Sequence, residues 1–323
     1  MSAGGTVLGL ALLGLSLWYF GRTLQRYDFH EVMGRVRQLP ASRIAAAIGF
    51  AALSYATQAF YDYLAAISVR LRISPGRAML AAFIGNAFTN NIGFSLLTGT
   101  GLRLRFYLGW GFTALQTAQV ITLSKLAFAN GLFLFAGLSQ LIDPAKLPDS
   151  IHLPFSPRLL GALLTLPSIL LLVWNGFARG DALRFGKFQV ARPAQSLLAL
   201  QIAVSCLHLA FAAGTLYYLL PADALAAAGF HGPLTFLGTF MAIKFVVMFV
   251  PVPGSLGVFE GTAVAVLTPA LPDYPVLGAL LGYRLIYYVL AFAVALPTLA
   301  GYELSARQGA LATLLRRRRA HAI

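Results

Sequence analysis

The sequence predicts an all-α fold: a polytopic membrane helix bundle with about six full spans and two further segments that enter the bilayer and break inside it. Three observations predict it. Of 323 residues, 59% are hydrophobic and only 11% charged, where a soluble domain carries roughly 25% charged residues. Mean hydropathy is +0.76. The apolar residues gather in runs close to the roughly 20 residues a helix needs to cross a bilayer, and nearly all of the 24 Lys and Arg lie in short stretches between those runs. These cations outnumber 10 acids and leave a formal charge of +14. Their confinement to loops speaks for membrane topology rather than for nucleic acid. The one cysteine, Cys206, excludes an intrachain disulfide, and five scattered histidines show no ligand spacing. No metal or other cofactor is expected.

In chain order the spans are 4–20, 44–68, 112–140, 159–178, 194–220 and 274–301. The first is followed by an amphipathic interfacial helix over 21–43: Asp28 and Glu31 have capping-box spacing, and Phe29, Val32, Met33, Val36 and Leu39 recur every three or four residues. The alternative there is a plain connector. Stretch 79–100 is apolar but interrupted by Asn86, Asn90 and Asn91, and 233–270 is broken by Pro251-Val252-Pro253-Gly254. Irregular backbone at membrane depth is tolerated only where protein buries it or where it lines a watery cavity. Both stretches therefore read as re-entrant segments beside a polar cavity.

The order helix, re-entrant segment, helix occurs in 44–140 and again in 194–301, with opposite orientation. That is an inverted repeat of the transporter type, inferred from topology because no residue-by-residue identity links the halves. Residues 1–43 precede the repeats, 141–193 connect them through a helix and a basic loop, and 302–323 form a basic tail. Arg179, Arg184, Lys187 and Arg192 place the connecting loop in the cytoplasm, and Arg307 with the run Arg316–Arg319 places the C-terminus there too.

Subtracting the loops leaves Asp62, Lys125, Lys244, Glu260 and Arg284 at or near membrane depth. A charge facing lipid at a helix centre costs about 2.5–3.5 kcal/mol or more, so these side chains face inward. Three cations against two acids favour an anionic ligand, and a phosphate-bearing head group is the membrane-resident one. The competing reading makes the same residues structural, with Glu260 pairing Arg284 or Lys244 and Asp62 pairing Lys125. Pro251, Pro253 and Gly254 would act as a hinge. Ser255 or Gly257 would open a half-helix whose free N–H groups suit an anion. Arg103 and Arg105 serve either as cations at the cytoplasmic mouth or as positive-inside anchors.

Asn90-Asn91-Ile92-Gly93, with Leu97 to Tyr107 (Leu-Thr-Gly-Thr-Gly-Leu-Arg-Leu-Arg-Phe-Tyr), resembles the Gly-x-Arg-x-Arg-x-Tyr region of the lysylphosphatidylglycerol synthase transmembrane (flippase) family. Pro253 to Glu260 and Tyr283 to Tyr288 resemble its other two signatures, and the likeness extends over about residues 5–305. At Ser255 the family often has Gly. The resemblance implies a bacterial cytoplasmic-membrane protein that moves a phosphatidylglycerol-type lipid, anionic or aminoacylated, between leaflets. Together with the charges at depth, it gives an expected substrate site at Arg284, Glu260, Lys244, Lys125, Arg103, Arg105, Asn90, Asn91, Ser255 and Gly257, of which Lys244 and Lys125 come from the charge reading and not from the motifs. In MprF proteins a soluble acyltransferase domain follows the membrane part, whereas this sequence stops at Ile323, so transport is expected rather than catalysis. The alternative is a membrane subunit, or an enzyme of lipid modification, that works with a separate soluble synthase. Membrane phospholipid is the expected partner, nucleic acid is not, and oligomeric state is open.

Overall fold

The computed structural model describes residues 34, 39–92, 98–144, 156–177, 180, 182–185, 188–249, 258–267, 271 and 273–320. The expected span 4–20 and most of 21–43 lie outside them. In order come α1 (Ala41–Ser68), α2 (Pro75–Ile92), α3 (Gly99–Gly109), α4 (Ala114–Ile142), α5 (Pro157–Phe177), the strands β1 (Ala182–Phe185) and β2 (Phe188–Ala191), α6 (Gln195–Leu219), α7 (Ala222–Ala227), α8 (Pro233–Phe249), α9 (Val258–Leu267), α10 (Asp273–Tyr283), a π-helical turn (Arg284–Leu290) and α11 (Ala291–Ala320). Among the described residues the fold is all-α apart from the β1–β2 hairpin in the connecting loop, paired in register from Ala182 with Ala191 to Phe185 with Phe188.

Among the described residues, five helices are long and apolar enough to cross a membrane: Ala41–Ser68, Ala114–Ile142, Pro157–Phe177, Gln195–Leu219 and the composite Val276–Ala306. They coincide with five of the six spans expected from the sequence. The interrupted stretches became helix pairs. α2 ends at Ile92 and α3 starts at Gly99, while α8 ends at Phe249 and α9 starts at Val258. One boundary differs, because the expected basic tail is helical: α11 continues without a break to Ala320.

α1 and α6 form the central contact, and they run antiparallel. Arg43, near the start of α1, reaches carbonyls at the end of α6, Ser54 meets His208, and Ser68, at the end of α1, accepts from Gln201 near the start of α6. Ser54 and His208 are 154 residues apart, the same offset as the two helix starts at 41 and 195. The packing continues with the same pairing in both halves. α1 contacts α2 and α4 as α6 contacts α8 and α10; α2 pairs with α3 as α8 pairs with α9; α3 lies on α4 as α9 lies on α10. Two like units whose first helices are antiparallel are related by a rotation that inverts one with respect to the membrane, which is the geometry of an inverted repeat.

Close approach of these helices depends on small residues, as in other membrane bundles. A side chain added at Gly131 would overlap Ser205 of α6, one at Gly137 would overlap Thr165 and the Gly161 backbone of α5, and one at Gly214 would overlap Phe50 of α1. Within the first hairpin, Gly99 lies against the Gly85 carbonyl and Thr89. The turn from α3 to α4 is closed locally. Gly111 has φ +90°, and the N–H groups of Phe112 and Gly111 donate to the carbonyls of Tyr107 and Leu108 at 3.0 and 3.1 Å, a Schellman arrangement with its usual apolar contact between Tyr107 and Phe112. Thr113 and Gln116 then form a capping box that starts α4.

Candidate functional site

Several of the buried polar residues form hydrogen-bonded groups between helices. At the central crossing, Tyr287 Oη donates to Ser54 Oγ (2.8 Å), Ser54 Oγ donates to the His208 carbonyl (3.0 Å), and His208 Nδ1, assigned as the protonated nitrogen, donates to the Ser54 carbonyl (2.9 Å). Every member is satisfied, so the network costs little and fixes the register of α1 on α6. An aromatic column continues from it: Tyr287 stacks on Tyr283 with centroids 4.9 Å apart and planes 7° from parallel, and Tyr283 stacks on Phe259 at 5.0 Å.

The first charged group lies in the first repeat. Arg103 of α3 donates from Nη2 to Asp62 of α1 at 2.5 Å and to Asn86 Oδ1 of α2 at 2.7 Å. Asp62 and Arg103 are 3% and 5% exposed. Gly85 makes room for the guanidinium, since a Cβ built there would sit 2.9 Å from Arg103 Nε. Asp62 thus pairs with Arg103 rather than with Lys125, the partner that the competing structural reading gave it: Arg103 on α3 reaches α1, and one guanidinium nitrogen bonds both a carboxylate oxygen and the amide oxygen. Asp62 Oδ1 and Arg103 Nε remain without a hydrogen-bond partner. Lys125 of α4 lies within electrostatic reach of both groups, but no carboxylate among the described residues is within ion-pair distance of it.

A second charged group lies in the second repeat. Arg284 opens the π-helical turn, is 4% exposed, and pairs through Nε and Nη2 with Glu260 Oε1. Its guanidinium also lies over the Tyr288 ring, 4.6 Å from the centroid. Glu260 sits in the first turn of α9, where a carboxylate is favoured by the helix dipole. Lys244 of α8 points its ammonium at three rings, Phe259 (5.3 Å), Phe240 (5.7 Å) and Tyr287 (5.8 Å). Among the described residues it too has no carboxylate at ion-pair distance. Cation–π contacts of this kind contribute about 0.5–2 kcal/mol each.

The remaining sequence-predicted positions separate. Asn91 is buried and donates to the carbonyls of Ala87 (2.8 Å) and Tyr288 (3.0 Å), which ties α2 to the π-helical turn, and Asn90 donates to Tyr55 Oη (3.1 Å). Arg105 points away from Arg103 and pairs with Glu303 of α11 at 2.5 Å. It joins a clamp in which Trp110 Nε1 donates to Tyr302 Oη (2.7 Å) and Arg77 covers the Trp110 ring (5.8 Å). The two arginines therefore do not form one mouth. Two positions apart on a helix, their side chains diverge. Pro251, Pro253, Gly254, Ser255 and Gly257 lie outside the described residues. Sequence reasoning missed Asn86 as a partner of Arg103, the Ser54–His208–Tyr287 network and the π-helical turn. The first two became legible only once α1, α2 and α6 were placed together. A π turn, frequent at functional sites, left no signal in composition.

These features define a polytopic membrane protein with an Arg–carboxylate pair and an additional lysine in each half of an inverted repeat. The model of the lysylphosphatidylglycerol synthase transmembrane region matches residues 6–295, and the chain belongs to that family. It is similar to the Synechocystis protein slr0712, 30% identical over 92% of this chain and 91% of that one. It is also similar to the Escherichia coli inner membrane protein YbhN, 23% identical over 84% of each. A shorter match, 29% identical over 101 residues, joins 31% of this chain to 12% of the phosphatidylglycerol lysyltransferase of Bacillus subtilis.

Proposed function

We propose that this protein moves a phospholipid of the phosphatidylglycerol type, anionic or aminoacylated, from one leaflet to the other, carrying the head group past the charged groups while the acyl tails stay in the bilayer. The observation that carries this reading is the charge balance. Arg103, Lys125 and Asp62 sum to +1, and Arg284, Lys244 and Glu260 sum to +1. Each repeat thus presents one net positive charge at membrane depth, the complement of one phosphodiester. In the low dielectric of a bundle an uncompensated cation is expensive, and a ligand of opposite sign offsets that cost. Among the described residues no nucleophile with a matched base stands at either group. The excess of Arg in 307–319 favours a cytoplasmic C-terminus.

The test is transbilayer movement of fluorescent phosphatidylglycerol in proteoliposomes. Arg284→Gln and Glu260→Gln are expected to abolish it, and the swapped double variant Glu260→Arg with Arg284→Glu is expected to stay folded yet inactive. Normal movement in folded single variants would remove the site. A second reading draws on the stretch shared with the Bacillus lysyltransferase: a membrane subunit that serves a separate soluble synthase. Co-purification of such an enzyme, with no lipid movement by the chain alone, would favour it.

A further inference from the structure

Asp62, Asn86, Arg103 and Arg284 are all buried, so a head group reaches either charged group only after packed elements part. The α1–α6 crossing is fastened along its length, by Arg43 on carbonyls at one end, by Ser54 with His208 in the middle and by Gln201 on Ser68 at the other end. That leaves the contacts between each hairpin and the opposite half. They come as an inverted pair: α2 of the first hairpin packs on α11, in the closing span of the second half, and α8 of the second hairpin packs on α4, the closing span of the first. Each contact holds an edge-to-face phenylalanine pair, Phe88 with Phe292 at 5.0 Å and Phe245 with Phe133 at 5.6 Å. Phe133 and Phe292 stand equally far along their spans from the starts at Ala114 and Asp273. The outer ends of the two contacts differ. At the end that carries the C-terminus, Arg105 pairs with Glu303 (2.5 Å), Trp110 Nε1 donates to Tyr302 Oη (2.7 Å), and Phe106 meets the Tyr302 ring edge-on (4.8 Å). Side-chain exposure of Arg105 and Glu303 is 13% and 20%, so water can take the place of either partner. At the opposite end Gln140 of α4 donates to the Gly238 carbonyl of α8 (3.1 Å), and no ion pair among the described residues joins α8 to α4.

We infer that the contact of the α2–α3 hairpin with α11 is a gate, latched by Arg105–Glu303 and Trp110–Tyr302, which parts to admit a head group to Asn86 and Arg103. The inference rests on the transport reading and adds the way in. Arg103 and Arg105 share α3 and serve different ends: Arg103 is held inside by Asp62 and Asn86, and Arg105 locks the hairpin to α11. Trp and Tyr beside Arg is the composition of the bilayer interface. A latch placed there is rehydrated as it opens, so that no polar group is left unsatisfied. The Phe88–Phe292 contact is apolar and exchanges one hydrocarbon surface for another. By the Arg count the gate faces the cytoplasm.

The chain has one cysteine, so a Cys206→Ser background carries no native thiol. In it, Arg105→Cys with Glu303→Cys is joined by a bifunctional thiosulfonate, in proteoliposomes that contain fluorescent phosphatidylglycerol. Lipid movement is expected to fall at least about tenfold and to return when the cross-link is reduced, because a gate that cannot open limits the rate. Undiminished movement in cross-linked protein, or slowing of the same size when the reagent meets either single-cysteine variant, overturns the gate and leaves the transport reading in place. A second measurement needs no transport. Asn86 is 4% exposed, and the thiol of Asn86→Cys is labelled in detergent by a charged thiosulfonate, with the latch intact or loosened by Glu303→Gln and Trp110→Phe together. Loosening is expected to raise the labelling rate at least about fivefold, since the reagent takes thiolate that water reaches. An unchanged rate overturns the gate. If loosening exposes the thiol but the Cys206→Ser protein moves no lipid, the transport reading falls while the opening at α11 stands.

Discussion

Replacing Arg103 by Met should destabilise the protein far more than replacing Arg103 and Asp62 together. Side-chain exposure of the two is 7% and 5%, so the Asp62 charge left behind by the single variant would be buried among α1, α2 and α3 without its guanidinium partner. Breaking such a pair costs about 3–5 kcal/mol, and Asn86 Oδ1 loses its donor at a further cost of about 1–3 kcal/mol. The double variant Asp62→Leu with Arg103→Met removes both charges, and such replacements run from neutral to about 1–4 kcal/mol stabilising. At about 2–4 °C per kcal/mol for a chain of this order of size, the single variant should melt on the order of 10 °C lower, and the double variant should recover most of that loss. The measurement is a thermal melt of purified protein in detergent, followed by retention of the monodisperse elution peak. A double variant that melts as low as Arg103→Met would refute the reasoning, because the cost would then lie in lost packing and not in an orphaned charge. A double variant that is stable but moves no lipid would separate the role of the pair in transport from its role in holding helices together.

Three further outcomes are expected. Arg43 donates to the carbonyls of Leu220 (2.7 Å), Tyr217 (3.0 Å) and Tyr218 (3.2 Å) at the end of α6, so Arg43→Gln should cost about 1–3 kcal/mol through orphaned carbonyls; an unchanged melting temperature would contradict this. Gly131→Val should lower stability by about 1–3 kcal/mol through overpacking, and Ser205→Gly in the same chain should restore part of it, because Ser205 is the group it meets. A fluorescent protein fused after Ile323 should fluoresce in cells, whereas an alkaline phosphatase fused there should stay inactive, as a cytoplasmic C-terminus requires; the opposite pair of results would invert the topology.

Apolar length and loop charge made the helical class and five spans readable directly, because a bilayer imposes a one-dimensional requirement: some 20 residues without charge, bounded by cations on one side. Pro251 to Gly254 and the Asn90-Asn91 pair marked where helices stop for the same reason, since the ends of α2 and α8 fall beside them. The five ionisable residues at depth were visible as exceptions to that requirement. Which of them pair was not visible. Asp62 and Arg103 are 41 residues apart, and Glu260 and Arg284 are 24 apart on different helices, so their meeting is fixed by how the hairpins cross α1 and α10. Arg103 and Arg105 look equivalent in the motif, yet one joins Asp62 inside the bundle and the other joins Glu303. The sequence alone determined what must be kept from lipid. Only the tertiary structure decided which charge answers which, because burial cost depends on composition along one chain whereas neutralisation depends on the distance between atoms brought together by different helices.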